Sequence, residues 1–318
     1  MRNILLISGD PNSVNSEIIA KSIKKIDKKI LKRIYLITNY NLIKKQFNIL
    51  NYNLNLVKVK NLDDKINEEG LKIIDIKINY SNPFKVSKNE SSKFILKSLN
   101  LGHYLALKNS VSGIINCAID KKLLKNKEFG VTEYLAKKCK VINDAETMLI
   151  KNENLAVCPV TTHWDLAKVP KLINKNLIVK KVKIIHKWYN NILKKNPKIA
   201  ILGLNPHNSE LKKNSEEVRE IIPAIRKLKT LNINCYGPIP SDTIFINEYK
   251  NFDVIVGMYH DQVLSPFKAI FKFNAINLTL GLKYLRVSPD HGTAKKLIKK
   301  NKASHESLLN CINFIKNF

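Results

Sequence analysis

The chain has 318 residues, 44% of them hydrophobic, which is enough for a sizeable core and for two lobes of ordinary domain size. Its 55 Lys and Arg against 26 Asp and Glu give a formal net charge of +29. The lysines run along the whole length among Ile and Asn, the residues of A/T-rich codons, and without interleaved aromatic platforms, which argues against a nucleic-acid surface. No segment reaches the ~20 apolar residues of a membrane span. Cys117, Cys139, Cys158, Cys235 and Cys311 form no CxxC pair or disulfide framework, so the expectation is a cytoplasmic protein with reduced thiols and no membrane partner.

The opening NILLIS and the following GDPNSVNSEIIAKSIKKI read as strand, turn and helix, with Asn or Ser as the N-cap. RIYLIT around Tyr35 and NLVKVK around Val57 continue an α/β alternation. A long helix is predicted from about Glu90 to Lys108, opened by a capping box from Ser87 to Glu90, followed by a strand over Ser112 to Ala118 and a helix from Thr132. The second half predicts strands in LAVCPVTT from Leu155, KIAILGLN from Lys198, FDVIVGMY from Phe252 and AINLTLGL from Ala275. Helical text begins at Asn176, Ser215, Thr293 and Ser304. Neither GxGxxG nor GxxxxGK[ST] occurs, so a nucleotide cofactor needs another architecture.

His163, His207 and His260 each stand where one of these apolar runs stops. A parallel sheet brings such ends to one rim, where open α/β sheets bind ligands. Neutral imidazole is the commonest side-chain ligand for zinc and similar ions, so three at one rim predict a metal site and an enzyme.

Around these histidines the text reads VTTHWDLAKVP at Val160, GLNPHNSE at Gly203, GPIPSDTIF at Gly237, MYHDQVLSPFK at Met258, INLTLGLKYLR at Ile276 and DHGTA at Asp290. In this order, over nearly the whole chain, it resembles the 4-hydroxythreonine-4-phosphate dehydrogenase family of pyridoxal phosphate biosynthesis. The resemblance implies a two-lobed isocitrate/isopropylmalate dehydrogenase-like α/β/α fold. Its lobes are expected at 1–138 plus 288–318 and at 139–287, with the active site in the interlobe cleft of a homodimer that shares it. It implies His163, His207 and His260 as ligands of a divalent metal (Zn, Co or Mg), with His260 reaching the ion from the partner chain. Thr132, Lys268, Asn277 and Arg286 are implied as substrate contacts. Asp242 and Asp261 are acidic neighbours suited to orienting an imidazole or the substrate ammonium. His291 and Gly292 of DHGTA are implied beside the adenine side of NAD or NADP.

The implied chemistry is NAD(P)-dependent oxidation of the secondary alcohol of 4-phosphohydroxy-L-threonine, then decarboxylation to 3-amino-2-oxopropyl phosphate. The family's Gly-His-Thr-Glu stands here as Gly130, Val131, Thr132 and Glu133, replacing a substrate-contacting imidazole by an aliphatic chain. The family's Gly-rich stretch after the second histidine stands as NSELKKNSEE. Two alternatives therefore remain: a dehydrogenase of threonate or erythronate 4-phosphate, and a catalytically lapsed metal-binding homologue.

Overall fold

The computed structural model describes residues 2–62, 64, 68–108, 110–124, 130–141 and 146–318. The first stretch of chain runs β1 (Asn3–Ile7), α1 (Asn15–Ile23), α2 (Lys28–Leu31), β2 (Ile34–Thr38), α3 (Tyr40–Ile49), β3 (Leu56–Val59), β4 (Leu71–Asp75), α4 (Lys88–Ala106), β5 (Val111–Asn116) and α5 (Val131–Lys138). There follow β6 (Thr147–Lys151), β7 (Ala156–Pro159), α6 (Val169–Leu172), α7 (Lys175–Trp188), β8 (Ile199–Leu202), α8 (Ile222–Lys229), β9 (Cys235–Ile239), α9 (Ser241–Ile244), β10 (Val254–Gly257), α10 (His260–Phe271) and β11 (Ile276–Leu280). The chain closes with β12 (Arg286–Pro289) and α11 (Glu306–Ile315). It divides into two compact units, Met1–Lys140 with Leu282–Phe318, and Val141–Gly281.

In the first unit the strand order is β3-β4-β2-β1-β5-β12, every pair parallel. Ile4 to Ile7 and Ile34 to Ile37 are all buried, as unbroken apolar runs are when helices cover both faces of a parallel sheet. Helix α4 lies close on this sheet at Gly102, where an added Cβ would stand 2.7 Å from the Ile7 side chain. Ser87 caps α4 by accepting from the Glu90 amide, but the Glu90 carboxylate accepts from the Asn79 amide instead of closing the expected box. Helix α1 departs from expectation too. Its N-cap is Val14, without a side-chain cap, because Ser13 donates to the Asp10 carbonyl and accepts from Asn15 within the preceding turn. The helical text from Thr293 yields only a three-residue 3-10 turn, since Ala294 takes a left-handed conformation.

The second unit has the order β11-β6-β7-β10-β8-β9. Strand β6 is antiparallel to both its neighbours, and β7, β10, β8 and β9 run parallel. The predicted helix from Ser215 opens with a π turn over Glu217–Ile221 before α8, where Pro223 has no amide hydrogen to continue an α ladder. Strands β4, β6, β9 and β12 were not legible as strands in the sequence. Among the described residues no helix is long and apolar enough to cross a membrane.

Candidate active site

Strand β10 lies between β7 and β8, parallel to both, so the three histidine-bearing segments leave one rim of the second unit. The exits are tied together. Thr161 donates its hydroxyl (2.7 Å) and its amide (3.1 Å) to the Met258 carbonyl, joining the segment after β7 to that after β10. The buried Gln262 accepts from the Met258 amide and donates to the Gly203 carbonyl, both at 2.7 Å, joining the exits of β10 and β8. The rings of His163 and His260 come together with centroids 5.8 Å apart. Asp261 Oδ1 lies 2.6 Å from His260 Nδ1. A carboxylate accepting the Nδ1 hydrogen leaves the Nε2 lone pair for an ion, the usual arrangement behind a ligating imidazole.

His207 is not gathered with this pair. Among the described residues no group of three or more His, Cys, Asp or Glu side chains is placed to hold a metal, so one chain presents two converging imidazoles rather than a closed ligand set. His207 opens a left-handed run through Leu211, with φ between 49° and 56° at five consecutive non-glycine residues. Such conformations cost roughly 1–2 kcal/mol per residue except at Gly, with Asn and Asp partly exempt. The turn is held from behind by Glu217, fully buried, which accepts the Leu204 and Asn205 amides at 2.8 Å each. Burial pushes the Glu217 pKa up, but the hydrogen bonds from Asn205 and Leu204 outweigh it and keep the carboxyl below its ordinary range. Glu210 is exposed within the run, and its replacement by glycine is expected to raise stability by about 0.5–1 kcal/mol, read as an upward shift of the thermal midpoint. An unchanged or lower midpoint would show that the run carries no strain.

Helix α10 begins at His260 and carries the half-buried Lys268 two turns on. On β11, Asn277 holds its side-chain carbonyl buried without a hydrogen-bond partner, an acceptor available to a ligand N–H or O–H. Asp242, in the short helix α9, is exposed and makes no hydrogen bond or ion pair among the described residues.

In the first unit, Arg286 opens β12 and is 4% exposed. Its Nε donates to Asn116 Oδ1 at 2.7 Å, and its Nη1 donates to Thr132 Oγ1 at 3.3 Å. Burial pulls its pKa down to about 10, so it remains a cation at neutral pH. Val131, like Ile119, Tyr134 and Tyr284, is a partly buried residue packed against the unit's core. Two residues before Arg286, Tyr284 meets His103 Nδ1 at 3.0 Å, which gives His103 a partner the sequence did not suggest.

Residues 290–297 form the remaining candidate. His291 Nδ1 donates to the Gly292 carbonyl at 2.9 Å, leaving Nε2 an acceptor that is buried and unpartnered. Gly292 has nothing within 4 Å of where a Cβ would stand, and it borders a recess of about 590 Å³, the size range of small-molecule sites. A bare backbone beside an open recess and an orphaned acceptor fit the adenosine end of a nicotinamide cofactor. Gly292→Val is therefore expected to leave the thermal midpoint unchanged and to weaken NAD(P)H binding by about tenfold or more, followed by coenzyme fluorescence. Undiminished binding would remove this loop from the cofactor site.

Two α/β units with polar side chains gathered at strand ends define the class of an enzyme acting on small molecules. The family described as pyridoxal phosphate biosynthetic protein PdxA matches residues 29–315. A 4-hydroxythreonine-4-phosphate dehydrogenase of Sulfurihydrogenibium sp. is 32% identical over 319 residues, 98% of this chain and 97% of that protein. One of Aquifex aeolicus is 41% identical over 214 residues, and the matched stretch spans 66% of each chain, just under two thirds of the relative's length. The crystal structure of a 4-hydroxythreonine-4-phosphate dehydrogenase from Klebsiella pneumoniae superposes with a TM-score of 0.85 at 24% identity, covering 100% of this chain and 99% of that one, which shows the shared fold. The chain belongs to the PdxA family, a family of oxidoreductases in pyridoxal phosphate biosynthesis.

Proposed function

We propose that this chain is a cytoplasmic, homodimeric dehydrogenase that oxidises 4-phosphohydroxy-L-threonine with NAD(P) and a divalent metal and releases 3-amino-2-oxopropyl phosphate and carbon dioxide. The observation that carries this reading is the pairing of His163 with His260 and of His260 with Asp261, in a chain of the PdxA family. His163, His207 and His260 are the metal ligands. Two imidazoles alone leave a zinc-like ion short of its three protein ligands; His260 stands beside His163 of its own chain, so the ligand that the dimer adds is not the expected His260. When bound, the ion acts as a Lewis acid toward the substrate alcohol.

The chain's own groups do the rest. Lys268 and Arg286 attract the substrate's phosphate and carboxylate, and Asn116 fixes the plane of the Arg286 guanidinium so that it meets an anion in one orientation. Thr132 stands within reach of the same guanidinium, and the Asn277 carbonyl accepts from the substrate ammonium or hydroxyl. His291 and Gly292 receive the adenosine end of the coenzyme.

The test is NAD(P)H formation by metal-stripped protein with 4-phosphohydroxy-L-threonine, and in parallel with threonate 4-phosphate, before and after adding zinc, cobalt or magnesium. Metal-dependent turnover of the amino acid is expected. Turnover of the sugar acid alone would transfer the assignment to that substrate, and none with any metal and either coenzyme would leave a lapsed binder.

A further inference from the structure

The recess beside Gly292 is lined within the first unit by Ile119, Asp120, Gly292, Thr293, Lys295 and Lys296, among others. A dinucleotide site that selects NAD uses a carboxylate to accept the ribose 2′-hydroxyl, whereas one that selects NADP places a cation against the 2′-phosphate. Asp120 is the carboxylate in this lining, and it is occupied. Its Oδ2 accepts Lys295 Nζ at 2.6 Å, and its Oδ1 accepts the Lys122 amide at 3.1 Å. Holding a ribose hydroxyl would mean breaking a charge-assisted hydrogen bond in exchange for a neutral one, which is unfavourable.

Lys296, the next residue, is exposed and has no carboxylate partner among the described residues. With Lys295 paired to Asp120, Lys296 is the cation in this lining that has no carboxylate partner among the described residues. Among its described lining residues the recess therefore has an anion-binding group to offer, while its carboxylate, Asp120, is already engaged.

We infer that this chain prefers NADP to NAD, with Lys296 binding the 2′-phosphate. The inference rests on reading residues 290–297 as the site of the adenosine end, and it supplies the coenzyme preference that the family assignment leaves open.

The experiment is calorimetric titration of the full chain with 2′,5′-ADP and with 5′-AMP, which differ by the 2′-phosphate alone and need neither metal nor substrate. Binding of 2′,5′-ADP is expected to be about tenfold tighter or more, the worth of one charge-assisted hydrogen bond, and to weaken with added salt. Lys296→Gln should remove the difference, and Lys296→Asp should reverse it in favour of 5′-AMP. Both variants alter an exposed side chain, and their thermal midpoints are measured alongside to show that they fold.

Equal affinities, tighter 5′-AMP, binding of neither nucleotide, or a preference that survives Lys296→Gln overturns the inference. Turnover of 4-phosphohydroxy-L-threonine with saturating NAD reports separately on the dehydrogenase assignment. Turnover without a 2′-phosphate preference removes Lys296 as a selector and leaves the enzyme reading standing.

Discussion

Replacement of His260 by alanine is expected to lower metal-dependent NAD(P) reduction by about a hundredfold or more while leaving the fold intact. The side chain is 36% exposed at the first turn of α10, so its removal opens no core cavity. The function expected to be lost is anchorage of the proposed ion, because His260 pairs with His163 at a ring-centroid distance of 5.8 Å. Asp261→Asn provides the graded control. It keeps a side-chain oxygen near Nδ1 but removes the charge, and outer partners of this kind typically change metal affinity by about 10–100-fold. Cobalt titration followed by visible absorption reads affinity directly, and a His260→Ala protein that binds cobalt and turns over like the parent would sink the metal assignment.

Arg286→Ala is expected to do more, acting on stability and on turnover together. The guanidinium is almost fully buried, and its loss leaves the Asn116 side-chain oxygen unsatisfied beside a cavity, at a cost of about 2–4 kcal/mol. Because the same cation is assigned to the substrate's anionic group, turnover should fall by at least about a hundredfold beyond any loss of folded protein. Arg286→Lys separates the two effects. It keeps a cation and most of the volume but has no second nitrogen arranged to hold Asn116 and an anion at once, so it should recover stability more than activity. Urea unfolding and steady-state kinetics on the folded fraction check both. Arg286→Lys with full activity would show that the residue is structural alone.

Burial of unbroken apolar runs explains which strands could be read from the sequence, and β12, equally buried, escaped because Arg286, Ser288 and Pro289 interrupt its apolar text. Strands β1, β2, β7, β8 and β10 are buried along their lengths and announce themselves as apolar runs. Strands β3 and β4 alternate buried with less buried positions, and only β3 was read. Strand β9, exposed over Tyr236 and Gly237, carries little strand signal at all. His163 and His260 were found because each closes a strong run, and neighbouring strands then bring them together.

The groups that set the site's geometry were not found, for a different reason. Thr161 bonds a residue 97 positions away, Gln262 one 59 away, and Asn116 one 170 away. Each is a common polar residue whose partner only the fold supplies. Glu217 looks like an ordinary acidic residue near a helix start, yet it is the fully buried anchor of the turn before His207. The left-handed run itself has no glycine to betray it.

The split composition of the first unit bears on the order in which a nascent chain can finish folding. Val141–Gly281 is contiguous and leaves the ribosome with all its own strands, whereas the first unit lacks β12 and α11 until the last 37 residues emerge. During that interval one side of β5 has no partner, and the faces of β5 and α1 that α11 covers stay bare. Premature termination between Gly281 and Glu306 would thus yield a chain whose second unit is complete and whose first unit lacks α11.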